Sequence, residues 1–365
     1  MRVLFYHGDS AWSDTARIAL RLAGGLTARG HQVTFAACAG GHVEAAAQAA
    51  SLETAAIDGR ATALGGAFDL RKVLAEKLVE VAVVSSERDQ LIVSSAMRFA
   101  ERGAVLRRVP AFTHLTVRRS GRLALRLATA GVVVSTEREV RDVNSRGWMM
   151  PPMIASLGID PVKYDVIEPA ARDDLGALTQ GPIIACSYDP SGRYRFGAAL
   201  RTLALLAPRH QLLHVVVFGP GADDDELRLH TAALGVSSFV TFIGDDQDPA
   251  PVMRAATAGW VVSSGDAAAL ACLEFMAMRI PVIIDRTPLA QQYIADGVTG
   301  MLLSTEEPSH TASAVAALLT SEDRRTEMGN AGRTRVQRDF SETVMIDGFE
   351  RAVNTAGDRT KWPVR

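Results

Sequence analysis

The sequence predicts an α/β protein of two doubly wound, Rossmann-like parallel-sheet domains in tandem, facing a central cleft that is the default ligand site. Three observations carry that expectation. Short apolar runs of strand length alternate with stretches of helical period along most of the chain. The alternation breaks once, in a Pro- and Gly-rich stretch from Met150 to Gly181, and then begins again. The length of 365 residues suits two domains, at roughly 150 residues each.

Arg2–Tyr6 (RVLFY) reads as the first strand, and a helix follows from about Asp14 to Ala28. Within it Ile18, Leu22 and Leu26 mark one buried face. Arg29-Gly30-His31 supplies a basic last turn and a Gly stop. Gln32–Ala37 (QVTFAA) is then a second strand, so the start of the chain is a βαβ unit with a right-handed crossover. Further strands are expected at Val79–Ser85, Ala111–His114 and Gly131–Ser135. Pro151-Pro152, Gly158, Pro161, Pro169, Gly176 and Gly181 mark the join. The second set opens with a strand at Ile183–Ser187, a helix near Ala198–Ala207 and a strand at Leu213–Phe218. A helix near Asp224–Leu234 and strands at Val240–Phe242 and Gly259–Ser263 follow. A helix at Ala267–Met278 and a strand at Pro281–Asp285 complete the series.

Composition excludes several classes. Apolar residues make up 48% and charged residues 22%, which fits a globular protein and not a disordered one. Lys and Arg number 39 against 41 Asp and Glu, so there is no basic excess for nucleic acid. Cys38, Cys186 and Cys272 are far apart, form no CxxC, and read as buried thiols of a reducing compartment. The N-terminus lacks the apolar core of a signal peptide, and no apolar run approaches the ~20 residues that span a bilayer. The expected location is the cytoplasm, with peripheral contact at the inner membrane face left open.

The richest stretch is Val261–Asp285, VVSSGDAAALACLEFMAMRIPVIID. An apolar strand ends at Ser263-Ser264-Gly265, and Asp266 is placed to cap a helix that is apolar except for Glu274. A helix N-terminus offers free N–H groups and a partial positive charge, which suits a phosphate. A carboxylate on an apolar helix needs hydrogen-bond donors, so Glu274 meets either ligand hydroxyls or a neighbouring backbone. Asp266 has two readings as well, helix cap or ligand contact.

These residues resemble a known family. Asp266…Glu274 followed by Met276-Ala277 and Pro281-Val282-Ile283 is similar to the E-x7-E signature of the retaining GT-B glycosyltransferases of family 4, the glycosyl transferases group 1 type. Leu22-Ala23…Leu26…Arg29-Gly30-His31-Gln32-Val33 resembles that family's first βαβ unit. Leu157-Gly158-Ile159-Asp160-Pro161…Tyr164 resembles its GIDxxxF loop. Phe218-Gly219-Pro220-Gly221, Phe242-Ile243-Gly244 and Asp296-Gly297-Val298-Thr299-Gly300 follow in the family's order. The resemblance implies a GT-B fold, with an acceptor-side domain over residues 1–168 and a nucleotide-sugar domain over 169–340. A C-terminal helix, about 341–356, is expected to pack back onto the first domain.

By the same resemblance, Glu274 binds the nucleotide ribose, and Asp266 stands where the family's first Glu contacts the donor sugar. Ala267 lies at the helix N-terminus beside the diphosphate, and Gly244 falls in a matched nucleotide-side loop. Arg193 and Arg195 are the candidate diphosphate ligands, since guanidinium donates bidentately; solvated loop arginines are the other reading. His114 matches a His beside the donor sugar, and a structural histidine is its alternative. The sequence departs from the family at Ser13-Asp14, where a Gly-Gly loop is usual, at Asp266, where a Glu is usual, at Ala267-Ala268 and at Arg279. The implied activity is retaining, metal-independent hexosyl transfer from a nucleotide-diphosphate sugar to a small-molecule or lipid-linked acceptor. No cofactor beyond that co-substrate is implied, and nucleic acid is not a partner. The alternative is a catalytically impaired, glycosyltransferase-like scaffold, motivated by those departures. The acidic runs Asp223–Glu226 and Asp245–Asp248 read as solvated turns. Arg107, Arg108, Arg118, Arg119, Arg122 and Arg126 form a local basic cluster, expected on a solvated face, with an anionic acceptor or membrane surface as the other reading.

Overall fold

The computed structural model describes residues 1–58, 63–113, 127–145, 151–177, 181–244, 247–304 and 306–359. His114, Arg118, Arg119, Arg122, Arg126, Asp245 and Asp246 therefore lie outside the described residues. The chain folds into two units, Met1–Leu157 with Thr343–Arg365, and Gly158–Glu342.

The first unit runs β1 (Arg2–His7), α1 (Asp14–Ala28), β2 (Gln32–Cys38), α2 (His42–Ala49), β3 (Glu53–Ile57), α3 (Ala63–Glu76), β4 (Val81–Val84), α4 (Glu87–Ala100) and β5 (Ala104–Arg108). It continues with β6 (Thr129–Val134), α5 (Glu137–Ser145) and β7 (Met153–Ile154). Its seven strands are parallel in the order β3-β2-β1-β4-β5-β6-β7. Val3 sits opposite Val33 on one side and Val81 on the other. With helices on its faces such a sheet hides both sides, which is why RVLFY and VAVV are continuous apolar runs. Ser13 starts α1 by accepting the Ala16 N–H on Oγ at 3.2 Å, and Leu22 and Leu26 are buried beneath it.

Two expectations change here. The strand placed at Ala111–His114 is instead β5, upstream; Ala111 and Phe112 form a turn, with Phe112 at φ +55°. The two arginines that end β5 disguise it as polar. They are also not solvated: Arg107 and Arg108 are buried, at 7% and 3% exposure. Arg107 donates to Gln90 Oε1 at 2.8 Å and Gln90 Nε2 to Thr129 Oγ1 at 3.0 Å, a buried polar chain that replaces water.

The second unit contains β8 (Ile183–Ser187), α6 (Arg193–Leu206), β9 (His214–Phe218), α7 (Asp225–Ala233), β10 (Val240–Phe242), α8 (Ala250–Arg254), β11 (Ala258–Val261) and α9 (Gly265–Ala277). It closes with β12 (Val282–Asp285), α10 (Ala290–Tyr293), β13 (Gly300–Leu303), α11 (Pro308–Thr320) and α12 (Glu322–Asp339). Its six parallel strands are ordered β10-β9-β8-β11-β12-β13. This is the Rossmann order 3-2-1-4-5-6, and the first sheet has the same order with one more strand. A last helix, α13 (Glu342–Asp358), carries the chain back to the first unit, where Phe349 stacks on Phe5 at 6.1 Å between ring centroids.

The division falls at Leu157/Gly158, where the sequence reading put it at 168/169. The loop after Leu157 packs within the second unit. Arg333 of α12 donates to the Pro161 carbonyl at 2.9 Å and to Asp165 Oδ2 at 2.7 Å.

Candidate functional site

The strand order of the second sheet reverses between β8 and β11. From β8 the chain steps outward to β9 and β10, and from β11 it steps the other way to β12 and β13. The two strands are paired neighbours, with Ser187 opposite Val261, so the loops leaving their C-terminal ends lie side by side. Such a switch point is where open α/β sheets bind ligands.

Here the loops are 188–192, leading into α6, and 262–264, leading into α9. Asp189 ties them together. Its Oδ2 accepts the Ser264 N–H at 2.5 Å and the Ser264 hydroxyl at 3.3 Å, and its Oδ1 accepts the Gly192 N–H at 3.0 Å. Ser191 bonds both Asp189 and Ser264 through its hydroxyl. Below them the hydroxyls of Ser187 and Ser263 meet at 2.9 Å. A Cβ on Gly192 would fall 2.1 Å from the Val262 carbonyl oxygen, so only glycine lets the loops approach this closely.

The helix cap differs from expectation. Ser264, not Asp266, stands at the N-cap of α9, and Asp266 is inside the first turn, buried at 3% exposure. The cap's own N–H goes to Asp189, a carboxylate from the neighbouring loop. Ala267 follows half-buried in the same turn. Glu274 lies eight residues beyond Asp266, about 12 Å along the axis, and is 6% exposed. Tyr164 donates its hydroxyl to Glu274 Oε1 at 2.8 Å. Tyr164 belongs to the Pro161–Tyr164 turn, which Asp160 caps by accepting the Val162 N–H at 3.0 Å. A buried carboxylate on an otherwise apolar helix thus has a hydroxyl donor from the loop after the domain join.

The two candidate phosphate arginines are both engaged by protein. Arg195 donates through Nε to the Val262 carbonyl at 2.9 Å and through Nη2 to the Ser263 carbonyl at 3.1 Å, so it braces the turn before α9. Arg193 pairs with Glu226 in the first turn of α7, both side chains largely exposed. Asp224 caps that helix, which makes the Asp223–Glu226 run the solvated first turn expected of it. Gly244 follows β10, two strands from β8, about 10 Å away at the usual strand spacing. The site therefore brings Asp266, Ala267, Arg193 and Arg195 together around one pair of loops and leaves Gly244 at a distance. Sequence reasoning missed Asp189, whose signal was present: an Asp before Pro-Ser-Gly at a strand end is a turn-capping pattern.

Fold and switch-point site together define a Rossmann-type α/β protein of the GT-B class. Residues 173–335, all within the second unit, match the family model described as glycosyl transferases group 1. Among curated proteins, the lipopolysaccharide core biosynthesis glycosyltransferase LpsE of Rhizobium meliloti (strain 1021) is 25% identical over 218 residues, 60% of this chain and 62% of its own length. The D-inositol 3-phosphate glycosyltransferase of Corynebacterium jeikeium (strain K411) is 35% identical over 139 residues, 36% of this chain and 33% of its own. The chain thus spans less than two thirds of either relative. Among solved structures, that of Anabaena HepE in complex with UDP-glucose superposes with a TM-score of 0.82 at 14% identity, covering 97% of this chain and all of that one. A glycosyltransferase from Rickettsia africae ESF-5 does so at 0.80 and 13% identity, covering 97% and 98%. No helix among the described residues is long and apolar enough to cross a membrane.

Proposed function

We propose that the chain is a glycosyltransferase that moves a hexosyl group from a nucleotide-diphosphate donor to an acceptor hydroxyl with retention of anomeric configuration. The observation that carries this reading is that the stretch matching the glycosyl transferases group 1 family builds the switch-point loops, and with them the turn that presents Asp266 and Ala267. The names of the curated relatives support the same class.

In this reading the ~12 Å between Asp266 and Glu274 along α9 suits an extended nucleotide sugar. Glu274 accepts from the ribose hydroxyls while Tyr164 holds its other oxygen, and Asp266 meets the donor sugar. The first turn of α9 and Arg193 face the diphosphate. Arg193 can exchange Glu226 for phosphate at little cost, because an exposed ion pair is worth about 0–1 kcal/mol. Arg195 acts at one remove, by holding the turn. The bond between the anomeric carbon and the diphosphate oxygen breaks as the acceptor oxygen bonds to the same face. The departing diphosphate takes the acceptor proton, and neither a cofactor nor a metal enters the step. Charge grows on the diphosphate as it leaves, so donors fixed beforehand at the helix N-terminus favour the transition state over the ground state. His114, which lies outside the described residues, and Gly244, set apart beyond β10, keep only the roles that the family resemblance implies.

A thermal-shift panel of UDP-, GDP-, ADP- and TDP-sugars, followed by product analysis with the donor that shifts, tests this. One nucleotide class is expected to raise the melting temperature and to yield a product with the donor's anomeric configuration. An absence of shift and of donor consumption across the panel overturns the reading, and an inverted product overturns retention.

A further inference from the structure

Two helices of the second unit carry a pattern that the switch-point site does not absorb. On α6, Arg193, Gly197 and Arg201 recur every four residues, and on α7, Glu226, Leu229 and His230 share an i, i+3, i+4 spacing. Each set therefore lies on one face of its helix. The two faces, with Tyr194, border a cavity of about 470 Å³. Arg193 and Arg201 stand about 12 Å apart along the helix axis, so they mark opposite ends of it.

At the first end Arg193 pairs with Glu226, which neutralises the cavity's carboxylate. At the other end the Arg201 guanidinium and the His230 ring converge. A Cβ on Gly197 would stand 3.0 Å from His230 Cε1 and 3.8 Å from both His230 Nδ1 and Arg201 Nη1. The two nitrogens thus flank one point above the glycine. Neither side chain has a hydrogen bond or ion pair among the described residues. Gly197 lies inside α6, where alanine is the better helix former, and its missing Cβ gives the imidazole its place. The cavity's remaining walls are apolar and face water: Tyr194 and Leu229 are 68% and 69% exposed.

We propose that this cavity is a further ligand site, for a phosphate monoester of a small ring compound, with Arg201 and His230 on the phosphate and Tyr194 and Leu229 against the ring. A guanidinium donates to two phosphate oxygens at once, and an imidazole N–H is free for the third. With Glu226 held by Arg193, the positive charge of Arg201 is left over, so the site favours an anion. A ring laid on Tyr194 removes apolar surface from water, which bare phosphate cannot do. A neutral ring compound, in turn, leaves the guanidinium unmatched. The site does not depend on the glycosyltransferase reading, because neither Arg201 nor His230 meets the donor there.

The test reads the His230 ring itself, by NMR of the full chain labelled with ¹³C-histidine, its signal assigned by its loss in His230→Gln. The probes are ribose 5-phosphate, inorganic phosphate, ribose, and sodium chloride at matched ionic strength. Ribose 5-phosphate is expected to move the His230 signal with saturation in the millimolar range, inorganic phosphate to do so more weakly, and ribose and chloride to leave it in place. Arg201→Gln is expected to weaken ribose 5-phosphate by about tenfold or more. Gly197→Leu, which fills the cavity without changing its charge, is expected to abolish the response. Melting curves are recorded for both, and Arg201→Gln, a change at an exposed side chain, carries the test if Gly197→Leu fails to fold. A His230 signal that ignores ribose 5-phosphate, or answers ribose or chloride equally, overturns the proposal. So does unchanged affinity in Arg201→Gln, which would put the phosphate elsewhere on the chain. Equal affinity for inorganic phosphate overturns the ester assignment.

Discussion

Arg279, two residues past the end of α9, lies in the left-handed backbone region, at φ +61°. The family that the sequence resembles has glycine there. A side chain in that region costs about 1–2 kcal/mol, and the exposed ion pair to Asp165 at 3.7 Å offsets little of it. Arg279→Gly is therefore expected to raise stability by about 0.5–1 kcal/mol, measured by urea unfolding; a loss would contradict it. Asp165 is held below its usual pKa first by the hydrogen bond from Arg333. A depressed carboxylate stabilises the folded chain above the unfolded pKa, near 3.9, and that contribution is lost as pH falls through the folded value. Asp165→Asn should thus be less stable than wild type at neutral pH, and the gap should close on acidification below about pH 4. Melting temperatures of the two proteins across that range check it. At Glu274 the sequence shows the carboxylate on an apolar helix but not its partner. Tyr164 is 110 positions away, and only the turn at Pro161–Tyr164 brings it there. Glu274→Ala is expected to weaken nucleotide binding by at least about tenfold, ~1.4 kcal/mol, measured by titration calorimetry.

At the scale of elements, Asp189 joins two loops that neither sequence segment links by itself. Removing its carboxylate frees the Ser264 N–H and loosens the turn before α9, while the Gly192 N–H keeps its bond to the Asp189 carbonyl at 2.9 Å. Asp189→Ala should cost about 1–2 kcal/mol, or roughly 2–8 °C in melting temperature for a unit of this size. Nucleotide affinity, measured on the same variant, should fall with it. The elements most legible in the sequence were those whose apolar residues run without interruption. β8 matches its expected span, as does β10 around its single Thr, and α1 covers the Asp14–Ala28 that its buried period indicated. The strands that escaped notice lack that signal. β3 is ETAAI at a sheet edge, β7 is two residues long, and β13 opens with Gly300. Each is recruited by pairing with an established neighbour, a tertiary effect that outweighs local propensity.

For the molecule as a whole, the chain's last helix belongs to its first unit. Phe349 is 1% exposed against Phe5, Ile346 packs close to Gly25, and Arg29 and His31 bond Glu350 at 2.6 and 2.8 Å. A Cβ on Gly25 would fall 2.3 Å from Ile346 Cδ1, so a larger residue there forces the Ile346 side chain to move. Phe349→Ala should destabilise the first unit by about 3–5 kcal/mol. Hydrogen exchange should show faster exchange at β1 and β2 with the second unit's core strands unaffected; uniform change in both units would refute the assignment.

Periodicity, the Pro- and Gly-rich join and the charge balance by themselves determined two parallel α/β domains, their approximate extents and the helix that carries Asp266 and Glu274. These are local properties, because burial on both faces of a strand or along one stripe of a helix is written in consecutive residues. The tertiary structure alone decided which loops meet. Asp189 with Ser264, Tyr164 with Glu274, Arg195 with the Val262 carbonyl and Phe349 with Phe5 are contacts between distant segments. They depend on strand order, since a parallel sheet sets its neighbours by crossover rather than by succession along the chain.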